Sequence, residues 1–251
     1  MIGESMFNPE FWKDRRVFVT GHTGFKGSWL CLWLNHVGAK VTGYALEPPT
    51  DPSLFELARI SELIDHHTGD VRDLESLEEA LREARPEVVF HMAAQSLVLY
   101  SYEEPVETFS TNVLGTVHLL DAVRRVPSVK AVVAVTSDKC YFNEEWAWGY
   151  REDDRLGGHD PYSGSKGAAE LVITAYQNAF FHPERNPGLA ALGSARAGNV
   201  IGGGDWAVDR LVPDIMTSLL KSEPTLIRKP QATRPWQHVL EPLNGYLMLA
   251  E

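Results

Sequence analysis

The sequence predicts an α/β fold, a doubly wound parallel sheet of the Rossmann type followed by a smaller, incomplete C-terminal substrate lobe. Three observations lead there. Short apolar segments alternate with helix-like ones from the N-terminus onward. Those segments lack a polar face, as expected of strands covered on both sides of a parallel sheet. A glycine-rich turn joins the first of them to a helix, where such sheets bind nucleotides.

Taken in order, residues 16–20 (RVFVT) form a short buried strand and residues 26–37 a helix. Residues 41–45 give a second strand, 66–69 end a third, and 73–84 form a helix with charges on its outer face. Residues 87–92 are a fourth strand, 106–125 a long helix and 129–136 a fifth strand. Asp160-Pro161 opens a helix reaching about residue 180, and residues 189–195 form a sixth strand. Residues 141–159 interrupt the alternation with an insertion rich in aromatics and acids, including Trp146, Trp148 and Tyr150. A loop of that length is more often functional than idle. Residues 241–251 read as an amphipathic helix that stops without a glycine cap or closing segment, so a truncated chain is expected.

The 251 residues suffice for one large domain, or one domain and a small lobe. Hydrophobic residues at 44% and charged residues at 23% exclude a disordered or fibrous chain. Glu4, Glu10, Lys13 and Asp14 at the N-terminus argue against a signal peptide, and no apolar run reaches membrane-spanning length. Cys31 and Cys140 are too few for a disulfide framework or metal cluster. His66 and His67, adjacent on a strand, point to opposite faces, so no metal is expected. A cytoplasmic protein with no membrane partner is the expectation. The net charge of -11 argues against nucleic acid as a partner. Residues 190–251 nevertheless balance six Lys/Arg against six Asp/Glu, so an anionic ligand is expected near this C-terminal quarter.

The chemistry begins at Gly21, Gly24 and Gly27, which space a G-x-x-G-x-x-G turn between the first strand and its helix. Such glycines let the backbone turn tightly and approach a pyrophosphate at the positive end of the helix. Thr23, Phe25 and Lys26 lie within the same turn. Asp70 and Val71 follow the third strand, and Ala93, Ala94 and Gln95 follow the fourth, at carboxyl ends where ligands of such sheets bind. Glu47 follows the second strand with no arginine until Arg59, which favours NAD over NADP and makes Glu47 a candidate for the ribose hydroxyls.

Tyr162 and Lys166 form a Y-x-x-x-K pair, one face of a helix apart by a single turn. An ammonium beside a phenol is expected to lower its pKa and make tyrosine a base near neutrality. Thr136-Ser137-Asp138-Lys139 ends the fifth strand, facing the same crevice. A carboxyl and an amine in succession there could supply an acid and a base for elimination.

These motifs resemble the extended short-chain dehydrogenase/reductase superfamily. The strings TGHTGFKGSWL (20–30), TSDKCY (136–141), WGYRE (148–152), GGHDPYSGSK (157–166), RAGNVIGGGDWA (196–207) and RPWQHVLEPL (234–243) are similar to its sugar-nucleotide 4,6-dehydratases, over nearly the whole chain. Relatives acting on dTDP-glucose or GDP-mannose usually carry glutamate after the aspartate, so Lys139 resembles the CDP-glucose branch. The resemblance implies NAD as cofactor and CDP-glucose as substrate, converted to a 4-keto-6-deoxy sugar for deoxysugar and cell-surface polysaccharide synthesis. It implies that Tyr162 removes the 4-hydroxyl proton, Ser137 hydrogen-bonds the 4-oxygen, Lys139 takes the C5 proton and Asp138 protonates the departing 6-hydroxyl. Lys166 and Asn112 fall among the cofactor residues, and Asn199, Arg210, Arg234 and His238 among those for the sugar nucleotide. On this reading residues 1–195 are the NAD-binding domain. Residues 196–251 are part of the sugar-nucleotide lobe, interleaved with the last sheet elements, and the long helices at 106–125 and 160–180 offer a face for a homo-oligomer, dimer or tetramer.

Two other readings stand beside this one. An epimerase or simple dehydrogenase needs Tyr162 and Lys166 but has no use for Asp138 and Lys139 together. A cofactor-sensing regulator would not require an intact Tyr/Lys pair.

Overall fold

The computed structural model describes residues 7–251. Eight strands and ten α-helices follow in the order α1 (Pro9–Trp12), β1 (Arg16–Thr20), α2 (Phe25–His36), β2 (Lys40–Ala45), α3 (Leu54–Leu57), β3 (Asp65–Thr68), α4 (Leu74–Ala84), β4 (Val88–His91), α5 (Val98–Glu103), α6 (Pro105–Phe109), α7 (Gly115–Val123), β5 (Ala131–Val135), α8 (Pro161–Ala179), β6 (Ala191–Ala195), β7 (Val200–Ile201), α9 (Leu211–Leu220), β8 (Gln237–His238) and α10 (Leu240–Ala250).

Six strands make one parallel sheet in the order β3-β2-β1-β4-β5-β6. The order reverses between β1 and β4, so helices cover both faces and a crevice opens beyond the carboxyl ends of these two strands. Alternation along β1 divides the core: Val17 and Val19 face one side, Phe18 the other. The first side packs Leu30 and Leu34 of α2 with Leu243 and Leu247 of α10; the second packs Leu77 and Leu81 of α4 with Leu119 and Ile173. All of these side chains are buried.

Sequence determines several element ends. Asp73 caps α4 by accepting from the Ser76 N–H at 3.1 Å, and Asp160 caps α8 by accepting from that of Ser163 at 2.9 Å. The expected helix at 106–125 is continuous from α6 to α7 but widens to a π turn at Ser110–Leu114. β3 departs from the both-faces-apolar pattern: its sequence DHHT is half-buried or exposed, as an edge strand allows.

The terminal helix packs back onto the sheet. α10 buries Leu243, Tyr246 and Leu247 against the sheet, and the Glu251 carboxylate accepts from Trp12 Nε1 at 2.8 Å. No helix among the described residues is long and apolar enough to cross a membrane.

Candidate active site

The glycine turn has three different jobs. Gly21 has φ +75°, and a Cβ there would stand 2.6 Å from the Ala93 nitrogen. A Cβ on Gly27 would fall 2.2 Å from the Gly21 carbonyl oxygen, so this glycine lets α2 start against the turn. Gly24 differs: a Cβ there would meet only the Gly21 oxygen, at 3.5 Å. Its open side lies at the first turn of α2, which has no side-chain cap. Uncapped N–H groups at the start of a 12-residue helix, beside a backbone stripped of Cβ, fit a dinucleotide diphosphate. Thr23 turns away from this cradle, its hydroxyl donating to the Leu46 carbonyl at 2.9 Å. Phe25 packs toward Gly202.

Behind the cradle, Thr20 and His91 are register partners on β1 and β4. Thr20 Oγ1 accepts from the N–H groups of Met92 and Ala93 at 3.1 and 3.2 Å and lies 2.8 Å from His91 Nδ1. His91 Nε2 lies 3.2 Å from Thr116 Oγ1, whose hydroxyl donates to the Asn112 carbonyl at 2.7 Å. Donors and acceptors balance along this chain when His91 is neutral and carries its proton on Nε2. Burial, and then the charge of Lys166, push the His91 pKa down to about 3.

Ala93, Ala94 and Gln95 sit half-buried at the end of β4. The Gln95 amide is occupied within its own loop, donating to Thr108 Oγ1 at 2.8 Å and to the Leu97 carbonyl at 3.1 Å. Asp70 holds Arg72 through its guanidinium, with Nε to Oδ2 at 2.8 Å. Val71 turns into the core against Gly115, so its side chain does not face the crevice. Glu47 is exposed and accepts from the Thr68 hydroxyl at 3.2 Å.

At the end of β5, Ser137 caps a short 3-10 turn, Asp138–Cys140, accepting from the Lys139 N–H at 3.2 Å and donating to Asp138 Oδ1 at 3.0 Å. The Asp138 N–H binds the Ala197 carbonyl at 3.0 Å, which fixes the turn to the chain leaving β6. Lys139 is half-buried and makes no ion pair among the described residues.

α8 brings Tyr162 and Lys166 to the same place, both buried. Burial raises the Tyr162 pKa, opposed first by hydrogen bonding with Ser137 and then by Arg210, while Asp138 adds to the rise. Desolvation outweighs the cations near it, so the shift is upward. Lys166 is pushed down to about 8 by burial, with Glu170 and Cys140 acting against the fall. Lys26 also falls to about 8, through burial and then the charges of Lys166 and Arg210, with Asp138 opposing; its Nζ lies 3.4 Å from the Tyr246 hydroxyl. Lys26, Asp138, Tyr162, Lys166, Arg210 and Tyr246 thus form one electrostatically linked cluster.

Four residues were expected at the sugar nucleotide. Arg210 enters this cluster, bridging Asp205 Oδ2 and Ser96 Oγ at 2.9 Å each. Asn199 is half-buried at the β7/β8 pair, its carbonyl accepting from the Gln237 N–H at 3.0 Å. Arg234 and His238 are exposed; Arg234 donates to the Thr233 carbonyl at 2.7 Å and His238 Nδ1 accepts from the Leu240 N–H at 3.4 Å. Sequence reasoning missed His91, Tyr246 and Ser96. Nothing local marks Tyr246, 220 residues from Lys26, whereas His91 closes the strand beside the glycine turn and could have been found there.

A reversed parallel sheet, a glycine turn at its first crossing and a Tyr/Lys pair on the helix after β5 define a protein of the extended short-chain dehydrogenase/reductase class. The chain belongs to the GDP-mannose 4,6 dehydratase family, whose sequence model matches residues 18–251. It is 60% identical over 250 residues to the CDP-glucose 4,6-dehydratase of Salmonella typhimurium, covering 98% of this chain and 69% of that relative. Solved structures with the same fold include a dTDP-glucose 4,6-dehydratase from Streptomyces venezuelae with NAD bound, at TM-score 0.82 and 24% identity, covering 94% of this chain and 72% of that one. Another is MoeE5 in complex with UDP-glucuronic acid and NAD, at TM-score 0.75 and 28% identity, covering 93% and 71%.

Proposed function

We propose that this protein is an NAD-dependent hydro-lyase that converts CDP-glucose to CDP-4-keto-6-deoxyglucose. The observation that carries this reading is the Asp138–Cys140 turn: the Asp138 carboxyl acts on Tyr162, and Lys139 follows it directly in the same turn. Gly24 and the uncapped start of α2 would hold NAD, which would supply the acceptor and donor of hydride. The remaining work falls to side chains. Tyr162 takes the 4-hydroxyl proton through its oxygen, with Ser137 hydrogen-bonded to the same position. The cation at Lys166 stabilises the phenolate that accepts this proton, and the transfer leaves Tyr162 a neutral phenol. The 4-keto group acidifies C5; Lys139 removes that proton and Asp138 protonates the 6-hydroxyl as it leaves as water. Arg210, whose paired donors suit a diphosphate, would hold that of the substrate. Similarity to the Salmonella enzyme supports cytosine as the base.

Residues 1–195 serve the cofactor and 196–251 contribute the sugar-nucleotide side, with α10 returned to the sheet. The exposed apolar side chains Leu99, Tyr102, Val106 and Phe109, with Leu171 on α8, form a face suited to self-association as a dimer. The two buried free cysteines suit a reducing, cytoplasmic compartment. Incubation with NAD and, separately, CDP-, dTDP- and UDP-glucose and GDP-mannose tests the reading. CDP-glucose is expected to yield the 4-keto-6-deoxy sugar fastest; a 4-epimer as the product would overturn dehydration.

A further inference from the structure

We propose that Glu170 is a positioning residue for this reaction: its carboxylate stands behind Lys166 and ties the helix of Tyr162 and Lys166 to the strand end of Ser137, Asp138 and Lys139. The inference rests on the function proposed above.

Glu170 lies one turn beyond Lys166 and two beyond Tyr162 on α8, so the three share a face. It is 1% exposed, and a carboxylate so deep in the protein survives only when compensated. Three groups compensate it. Thr136 Oγ1 donates to Oε1; Ser194 Oγ donates to Oε2 at 2.9 Å, and Arg196 Nη2 does so at 2.7 Å. Thr136 directly precedes the Ser137-Asp138-Lys139 turn, and Ser194 lies on β6. One carboxylate therefore joins α8, the end of β5 and β6.

Arg196 carries the connection outward. Its Nη1 donates to the Tyr141 hydroxyl at 2.8 Å and the Glu152 carbonyl at 3.0 Å. Tyr141 in turn stacks on Tyr150, ring centroids 5.0 Å apart. The aromatic insertion is thereby held to the same buried anchor as the helix of Tyr162.

The charge at Glu170 has a second consequence. The ionisable groups acting around Lys166 are Glu170 on its own helix, Cys140 on the Asp138–Cys140 turn, His91 on β4 and Lys26 on α2, with Tyr162, Asp138 and Arg196 bordering them. His91 is neutral and Lys26 repels. Glu170 is the foremost influence keeping the buried ammonium protonated. Removing that charge drives Lys166 toward the neutral amine, which cannot stabilise a phenolate.

The test uses the full-length protein carrying Glu170→Gln, and separately Glu170→Gln/Arg196→Gln, which leaves no unpaired buried cation should the single variant fail to fold. Two quantities are read: the pH titration of the Lys166 Cε carbon NMR signal without cofactor, and the pH profile of kcat with NAD and CDP-glucose. In both variants the Lys166 titration and the alkaline limb of kcat are expected to move down by about one pH unit or more, the effect of losing a nearby opposite charge. At pH 9, above both values, kcat is expected to fall about tenfold with KM little changed, and at pH 7 only about twofold. An unchanged Lys166 titration and an unchanged alkaline limb in either folded variant would overturn the proposal and leave Glu170–Arg196 a structural ion pair. Tyr162→Phe in the same assay separates the two levels: if it stays active, the function reading fails; if it is inactive while the Glu170 variants behave as wild type, only this inference fails.

Discussion

Asn112 donates through Nδ2 to the Ser165 hydroxyl at 2.9 Å, joining the π turn before α7 to the helix that carries Tyr162 and Lys166. The same side chain accepts from the Gln95 N–H at 2.9 Å and donates to its carbonyl at 3.0 Å. A π turn adds one residue to a helical circuit, and such turns gather at functional sites. Here it aims one amide at two separate elements. Resemblance places Asn112 among the cofactor residues, and its amide holds the β4 loop against α8.

Asn112→Ala is therefore expected to destabilise the fold by about 1–3 kcal/mol, the usual penalty for stranding buried polar groups, and to lower activity. Urea denaturation measures it. A change within about 0.5 kcal/mol, typical of indifferent surface positions, would contradict the clamp.

The glycine turn makes a graded prediction. Gly24→Val is expected to keep a native circular dichroism spectrum yet lose NAD binding by calorimetry, because the added atoms occupy the open cradle. Gly27→Val is expected to damage folding itself, since its first carbon would collide with backbone at 2.2 Å. Undiminished NAD affinity in Gly24→Val would mean that the diphosphate lies elsewhere.

Much of this was legible in the sequence, for identifiable reasons. Two-sided apolar strands and the glycine spacing are local signals, and they gave the sheet and its crevice. Asp160-Pro161 announced α8, and Tyr162 and Lys166 followed from helix geometry. What stayed hidden depends on contacts between distant segments. Arg196 reaches Glu170 across 26 residues and Lys26 reaches Tyr246 across 220, and no periodicity encodes either. The upward pull of burial on the Tyr162 pKa was hidden as well, because burial cannot be read from spacing. Glu170 was within reach: a carboxylate four residues after Lys166, on the buried face, invites a question.

Two histidines make stability fall in acid. Burial, aided by the nearby charges of His66 and Lys166 respectively, lowers His22 and His91 to about 3. Between the unfolded value near 6.5 and about 3, the unfolded chain binds protons that the folded chain does not. Their contribution is thus complete above pH 6.5 and is lost as pH drops toward 3, at about 1.4 kcal/mol per pH unit for each. Melting temperature is expected to fall steadily from pH 7 to 5, and less steeply in His91→Gln. A melting temperature that rises over this interval would contradict the neutral His91 inferred from its hydrogen bonds.

The central claim is that Asp138 and Lys139 serve elimination while Tyr162 and Lys166 serve oxidation. Lys139→Met separates these halves most directly. The variant retains Tyr162, Lys166 and the cradle, so oxidation at C4 is expected to proceed and absorbance of the reduced cofactor to build up in the near ultraviolet. Loss of water is expected to slow by about 10²–10⁴-fold, the usual effect of removing a placed base, or roughly 3–5 kcal/mol of barrier. Stopped-flow absorbance with CDP-glucose, alongside deuterium exchange at C5, reads both halves at once. The account predicts accumulated reduced cofactor with suppressed exchange; wild-type elimination with no accumulation would contradict it.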